Sequence, residues 1–192
     1  MKYLANKKKQ EGNYLLSIGI GIMILGILAV WGIPKIQDYI VEGAIPSVAE
    51  ESQRFIARVQ VSNSGSGTTP YTGLTQAYFA RSVRGTSLQV GTIAGEGTGG
   101  TVVRHGLGGG NNGTVVISTT GDSFALTFNS VNAAACPGLA TALQRTVDDI
   151  SINGKTVKIT DTDKTVSAGY VAGAAATQCG DGDTNTFVFT IR

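Results

Sequence analysis

Residues 14–33 read YLLSIGIGIMILGILAVWGI, twenty consecutive residues without a charged side chain. Wound as an α-helix at about 1.5 Å per residue, such a run covers about 30 Å, the thickness of a bilayer's hydrocarbon core. Its exceptions to strong apolarity are Ser17 and the glycines Gly19, Gly21, Gly26 and Gly32. A lipid-buried helix tolerates these because its backbone hydrogen bonds are internal, and small residues let a neighbouring helix approach closely. Lys7, Lys8 and Lys9 precede the run, which places the N-terminus in the cytoplasm and everything after Ile33 outside. A secretory signal peptide also starts basic and continues apolar. This run is longer than a usual signal core, and PKIQDYIVEGAIP follows it with no small-x-small cleavage pattern. Retention of the segment is therefore expected. A plain single-pass anchor remains open on these residues alone.

Working outward, Pro34 lacks an N–H and crowds the preceding turn, so it is expected to kink the helix. Beyond it, Ile36, Ile40, Ile45, Val48, Phe55, Ile56 and Val59 recur at helical spacing among Gln37, Asp38, Glu42, Glu50, Glu51, Gln53 and Arg54. Pro46 marks a second bend. The pattern predicts one long, bent helix over about 14–61. Its first part (13–33) is apolar all round, and its second (34–61) is amphipathic and packs one face on a globular head, residues 62–192.

Charge is unevenly placed. Lys+Arg number 15 and Asp+Glu 13, and four of the lysines (Lys2, Lys7, Lys8, Lys9) lie in the first eleven residues with only Glu11 against them. The rest of the chain is close to neutral, which excludes a basic nucleic-acid surface spread over the head. An apolar fraction of 42% excludes charge-driven disorder. Cys136 and Cys179 form no CxxC pair or Cys/His cluster, so zinc and redox readings lack support. They suit one structural disulfide in an oxidising compartment, with two buried free thiols as the alternative.

In the head, SNSGSGTTP (62–70) reads as a loop, and GLTQAYFARSV (73–83) as a short helix with Leu74, Ala77 and Tyr78 on one face. SLQV and TVVRH are short strand candidates. TVVIS (114–118) and SFALTF (123–128) form a hairpin. Asn132 caps a helix expected over Ala133–Val147. DISINGKTVKIT (149–160) is a hairpin turning at Asn153-Gly154, the chemistry of a type I′ turn. SAGYVAGAAATQC (167–179) reads as a small-residue helix, and TFVFTIR as a final strand. The fold class is α+β with an antiparallel sheet, its cysteines at two helix ends.

Several motif fragments carry little. Gly95-Glu96-Gly97-Thr98-Gly99-Gly100 matches G-x-G-x-x-G, but a strand pattern follows where a dinucleotide site needs a helix. Asp181-Gly182-Asp183-Thr184-Asn185 starts like a calcium loop, yet has Thr186 for the glycine and Arg192 for the final glutamate. His105 is the sole histidine, so any Ser-His-Asp or Cys-His mechanism must pass through it; no nucleophile elbow accompanies it. Asp148-Asp149 and Asp161/Asp163 read as solvated turn carboxylates. Asn112-Gly113-Thr114 is a chance-level glycosylation sequon. No catalytic residue, metal ligand or cofactor is expected.

Four features together resemble a type IV prepilin of the type IVb class, the group of the toxin-coregulated pilin, bundlin and the thin-pilus PilS proteins. A short basic leader ends in Gly12 directly before the apolar run. Pro34 stands at residue 22 of a chain beginning at Asn13, where these pilins carry a helix-kinking proline. The helix continues into a Gly-rich α+β head. The cysteines lie as AAACPGLATAL and AATQCGDGDTNTFVFTIR, similar to the disulfide-bounded region of type IVb heads. The resemblance implies a leader (1–12) removed by a prepilin peptidase between Gly12 and Asn13, with N-methylation of the new terminus. It also implies a Cys136–Cys179 disulfide, insertion in the inner membrane, an assembly machine there, and a homopolymeric extracellular pilus serving adhesion, aggregation or mating contact. Two positions depart from the family: its usual Glu at mature residue five is Ser17, and its apolar first residue is Asn13. A minor pilin, a pseudopilin and a membrane-anchored binding module are the alternatives.

Overall fold

The computed structural model describes residues 12–63, 67–91 and 100–192. The expected leader (1–12), except for Gly12, and most of the 95–100 glycine motif lie outside them. The chain divides into two units, one ending at Gln37 and one running from Asp38 to Arg192.

Helix α1 spans Gly12–Asn63 without interruption. Pro34 and Pro46 both lie inside it and neither ends it, although each removes one backbone donor from the ladder. Within the second unit, α1 buries Val41, Val48, Ala49, Ser52, Phe55, Ile56 and Val59. The sequence pattern extended this stripe back to Ile36 and Ile40. Both are exposed, and Val41 opens the stripe instead. Ser52 joins it by returning its hydroxyl to the Val48 carbonyl, 2.8 Å away, so no polar group is left unmet.

Helix α2 (Gln76–Ser82) is capped by Thr75, whose hydroxyl accepts the Tyr78 N–H. It buries Phe79 and Ala80, with Val83 beyond its end. The expected face of Leu74, Ala77 and Tyr78 was misplaced, because Phe79 inserts edge-on against Phe55 at 4.7 Å and sets the rotation of the helix.

Strands β1 (Gln89–Gly91), β2 (Val102–Arg104), β3 (Thr114–Thr119), β4 (Phe124–Val131), β5 (Asp149–Ile152), β6 (Lys155–Thr160), β7 (Val166–Ala168) and β8 (Asn185–Ile191) build one sheet. Its order is β1-β2-β3-β4-β8-β5-β6-β7, and every pairing is antiparallel. The C-terminal strand β8 is thus central, between β4 and β5. Its alternation buries Phe187, Phe189 and Ile191 beside Phe124, Leu126 and Phe128 of β4. The Asn153-Gly154 turn is as its chemistry requires, both residues having positive φ (51° and 76°).

Two expected helices are shorter. Asn132 caps a 3-10 turn (Ala133–Ala135), accepting the Ala134 N–H, and α3 covers only Cys136–Leu143. It stops short of Val147 because the Asp148 N–H is already paired with the Thr190 carbonyl of β8. Lys158 of β6 also reaches over to the carbonyls of Gln144 and Val147. The 167–179 stretch splits into β7 and a five-residue helix, α4 (Ala172–Ala176). Pairing of Ile159 with Ala168 outweighs the weak helical preference of the small residues. Helix α3 packs on α1 closely enough that a Cβ at Gly138 would stand 2.8 Å from Ile45 Cδ1. Gln53 of α1 also donates to the Ala142 carbonyl.

Candidate assembly surface

The first half of α1, from Tyr14 to Ile33, is helical because little in it competes with the backbone: it has no charge and, apart from the distant Tyr14 phenol, only one hydroxyl, Ser17. Its described large side chains face outward. Tyr14, Leu15, Leu16, Ile18, Ile20, Ile22, Met23, Ile24, Leu25, Ile27, Leu28 and Val30 are all exposed, Leu25 at 67%. An 18-residue window here has mean hydropathy 2.4, and α1 is the single described helix long and apolar enough to cross a membrane. Gly19, Gly21, Gly26 and Gly32 meet nothing within 4 Å where a Cβ would stand. Among the described residues their small size answers no contact, which leaves them as places where another helix can come near. Ser17 is exposed within this stretch, and Gly12 and Asn13 occupy the first turn of α1.

In the head, the sequence-marked residues converge on a region stapled by the Cys136–Cys179 disulfide, with Cα atoms 6.1 Å apart. Cys136 opens α3 and Cys179 follows α4. Asn185, fully buried, holds the turn between Cys179 and β8. It donates to the carbonyls of Val131 and Gly180 and accepts the Gly180 N–H at 2.6 Å. Asn153, beyond its turn role, donates to the Gln178 carbonyl and to Asn185 Oδ1, and accepts the Thr186 N–H. Asp183, half of the calcium-like pair, accepts from Asn132 Nδ2 at 2.7 Å. The GDGD turn is therefore knit into the fold, and no group of three or more His, Cys, Asp or Glu positioned for a metal occurs among the described residues.

Asp148 and Asp149 are not solvated turn residues. Asp148 accepts Lys164 Nζ at 2.9 and 3.0 Å and the Arg192 N–H at 2.6 Å. Asp149 pairs with the Arg192 guanidinium, which also donates to the Thr160 carbonyl. The bond to Asp149 raises the Arg192 pKa further. Burial lowers that of Lys158, partly opposed by Asp148 and Asp149. These groups clamp the end of β8 to β5 and β6.

His105 is 1% exposed. Its Nδ1 accepts the Leu107 N–H at 2.9 Å, and its Nε2 donates to the Asn129 carbonyl at 2.8 Å. The neutral ring is used at both nitrogens, and it lies against Phe128. Burial pushes its pKa down, against smaller opposing effects of the Asn129 carbonyl and Asp183. With both nitrogens engaged inside the core, it offers a substrate nothing. Around it the glycine loop closes tightly: a Cβ at Gly113 would overlap the Gly108 carbonyl, and one at Gly109 would lie 2.5 Å from the Ser130 carbonyl. Ser130 itself has φ 55° at the register shift in β4.

Sequence reasoning missed Gln76. Its side-chain amide donates to the Val115 carbonyl and accepts the Ile117 N–H, standing in for a strand residue along the part of β3 that β2 does not cover. A helix-entry glutamine gives no such signal by itself. Asn185 at the head of an apolar strand was the one legible hint of a buried polar network.

Among solved structures, a type IVb pilin from Salmonella typhi is 21% identical over 75% of this chain and 96% of its own, with TM-score 0.48. TcpA, a type IV pilin from Vibrio cholerae El Tor biotype, is 14% identical over 78% of this chain and 99% of its own, with TM-score 0.47. No curated protein sequence matches. The model of the PilS N-terminal family matches residues 96–192, more than half of the chain. On that match the chain belongs to the PilS N-terminal family, in keeping with the type IVb pilins that its leader, proline register and paired cysteines resemble.

Proposed function

We propose that this chain is a structural subunit of a type IV pilus of the type IVb class. It is inserted in the inner membrane with its N-terminus cytoplasmic, cut between Gly12 and Asn13 by a prepilin peptidase, and assembled through α1 by an inner-membrane machine. The observation that carries the reading is the unbroken exposure of apolar side chains from Tyr14 to Val30 on the same helix whose second half is buried in the head. Such a surface requires lipid or other helices around it. Lipid and a bundle interior are equally apolar, so transfer between them gains little hydrophobic free energy. Close packing at Gly19, Gly21 and Gly26 and contacts between heads then decide the filament. Adhesion, aggregation or mating contact would fall to the heads.

Ser17 favours a second reading. In these pilins the glutamate at this place is thought to meet the N-terminal ammonium of a neighbour, and an unpaired ammonium in an apolar core is costly. With no carboxylate between Asn13 and Gln37, the chain would suit a minor pilin or a pseudopilin.

Mass spectrometry of sheared surface fibres is the test. Recovery of a chain beginning at Asn13 as the dominant fibre protein supports a major subunit, and recovery at trace level supports the minor one. A cell-bound protein retaining Met1 and absent from fibres leaves the membrane-anchored binding module.

A further inference from the structure

The head's near-neutrality hides a division. Residues 52–121 contain five arginines and one carboxylate, Glu96, which lies outside the described residues; residues 122–192 contain seven carboxylates and five Lys/Arg. The fold sends these two stretches to opposite edges of the sheet. At the β1 edge, Arg84 Nη2 lies 3.6 Å from the Cβ position of Gly100, and Arg104 Nη1 lies 3.1 Å from that of Gly91. The Gly100 Cβ position is itself 4.0 Å from the Gly91 carbonyl, so the two guanidinium groups gather on one patch of backbone. Arg81 is exposed on α2 nearby, and Arg58 reaches the Ser82 carbonyl at the end of that helix. Among the described residues none of these four arginines has an ion-pair partner.

At the opposite edge, across eight strands or about 34 Å, the β6–β7 turn carries Asp161, Asp163 and Lys164. Its cation is exposed but already paired, Lys164 donating to both oxygens of Asp148 and to the Arg192 carbonyl. Lys158 is likewise spent on the Gln144 and Val147 carbonyls. Asp161 and Asp163 stay exposed, bonded only within the turn to Ser167 Oγ and the Thr165 N–H. The turn thus shows a neighbour two carboxylates with no ion-pair partner among the described residues, while its exposed lysine is engaged by Asp148.

We propose that the β6–β7 turn of one copy, through Asp161 and Asp163, docks on the arginine patch at the β1 edge, centred on Arg84 and Arg104, of the next copy. This rests on the filament reading above and names the head contact within it. The patches differ and lie on opposite edges, so the contact is heterologous and repeats without limit unless the rotation closes, as a helical filament requires. Exposed ion pairs are individually weak and salt-screened. Their role is to set which edges meet and in which orientation, while α1 supplies the cohesion.

The test uses the full chain expressed with its assembly machinery. Arg84→Asp alone and Asp163→Arg alone should each lower fibre yield about tenfold with the head's Tm unchanged, and the two together should restore it to within about threefold. Arg84→Cys combined with Asp163→Cys should give a ladder of disulfide-linked oligomers in fibres, which neither single cysteine gives. Wild-type yield from both reversals, or a double reversal no better than the singles with no ladder, overturns the contact. Arg84→Asp fibres that assemble normally but lose retention on heparin resin would assign the patch to an anionic surface polymer and equally overturn it. A wild-type chain never found in fibres defeats the filament reading instead, a distinguishable result.

Discussion

Leu25 and Phe55 belong to one helix and to one class of side chain, yet Leu25 is 67% exposed and Phe55 is 2%. Around Phe55 the chain supplies its own apolar surroundings: Phe79 at 4.7 Å, Phe124 and Tyr78 within 6.4 Å, and the strands beneath. Around Leu25 the described residues leave most of the side chain bare. The second half of α1 is therefore a core helix whose energetics are settled within a single molecule. The first half is unfinished, and its free energy depends on what surrounds it. The same hydrophobic composition can specify a fold or specify an assembly, and the difference lies in whether polar residues interrupt it at helical period.

The sharpest way to break that contrast is to truncate both sides. Phe55→Ala should destabilise the head by about 3–5 kcal/mol, since it removes a ring from a packed aromatic cluster and leaves a cavity. Leu25→Ala should change head stability by less than about 0.5 kcal/mol. Thermal unfolding of the full chain in detergent, followed by near-UV circular dichroism, separates the two. Equal losses would mean that the halves are energetically coupled, contrary to the burial pattern.

The disulfide offers a second lever confined to the head. Cys136→Ser with Cys179→Ser opens a loop with a sequence separation of 43, which the chain-entropy relation values at about 4 kcal/mol. The Tm should fall accordingly, while partition of the chain into membranes stays as in the wild type. Leu25→Lys should do the reverse. It costs about 2.5–3.5 kcal/mol of insertion at a helix centre, so the protein should leave the membrane fraction with its head still folded. Retention of that variant in membranes at wild-type level would argue against Tyr14–Ile33 as the span.

How much of this was legible depended on whether the deciding partner was close in sequence. The apolar run, the Asn153-Gly154 turn, the Asn132 cap and the hairpin strands carry their signals within a few residues, and each lies where its chemistry put it. The ends of α3 and α4 did not, because they are set by distant groups: the Thr190 carbonyl, Lys158 and the pairing of Ala168 with Ile159. The rotation of α2 was missed by two residues because Phe55 decides it. Asp148 and Asp149 looked like solvated turn residues, since nothing local announces that Lys164 and Arg192 arrive on them. Gly19 and Ser17 were visible only as oddities of composition. Among the described residues nothing lies within 4 Å of where a Cβ on Gly19 would stand.

Protonation gives the smallest and most selective probe, because the two regions differ in what can titrate. From Leu15 to Pro34 there is no ionisable side chain, so the first half of α1 should be indifferent to pH. The head contains His105, neutral and bonded at both nitrogens, with its pKa lowered by burial. When the folded pKa lies below the unfolded value of about 6.5, the unfolded chain binds the extra proton first. Stability from this group is then complete above about pH 6.5 and is lost as pH falls from there through the lower folded pKa, at about 1.4 kcal/mol for each unit of depression. Protonation would also place a hydrogen on Nδ1 facing the Leu107 N–H, so the loop that Gly108, Gly109 and Gly113 close so tightly should loosen first. Urea unfolding between pH 7.5 and 5 should show this fall, and His105→Gln, which keeps a donor and an acceptor without a titrating ring, should flatten it. A slope unchanged in His105→Gln would transfer the pH sensitivity to other groups.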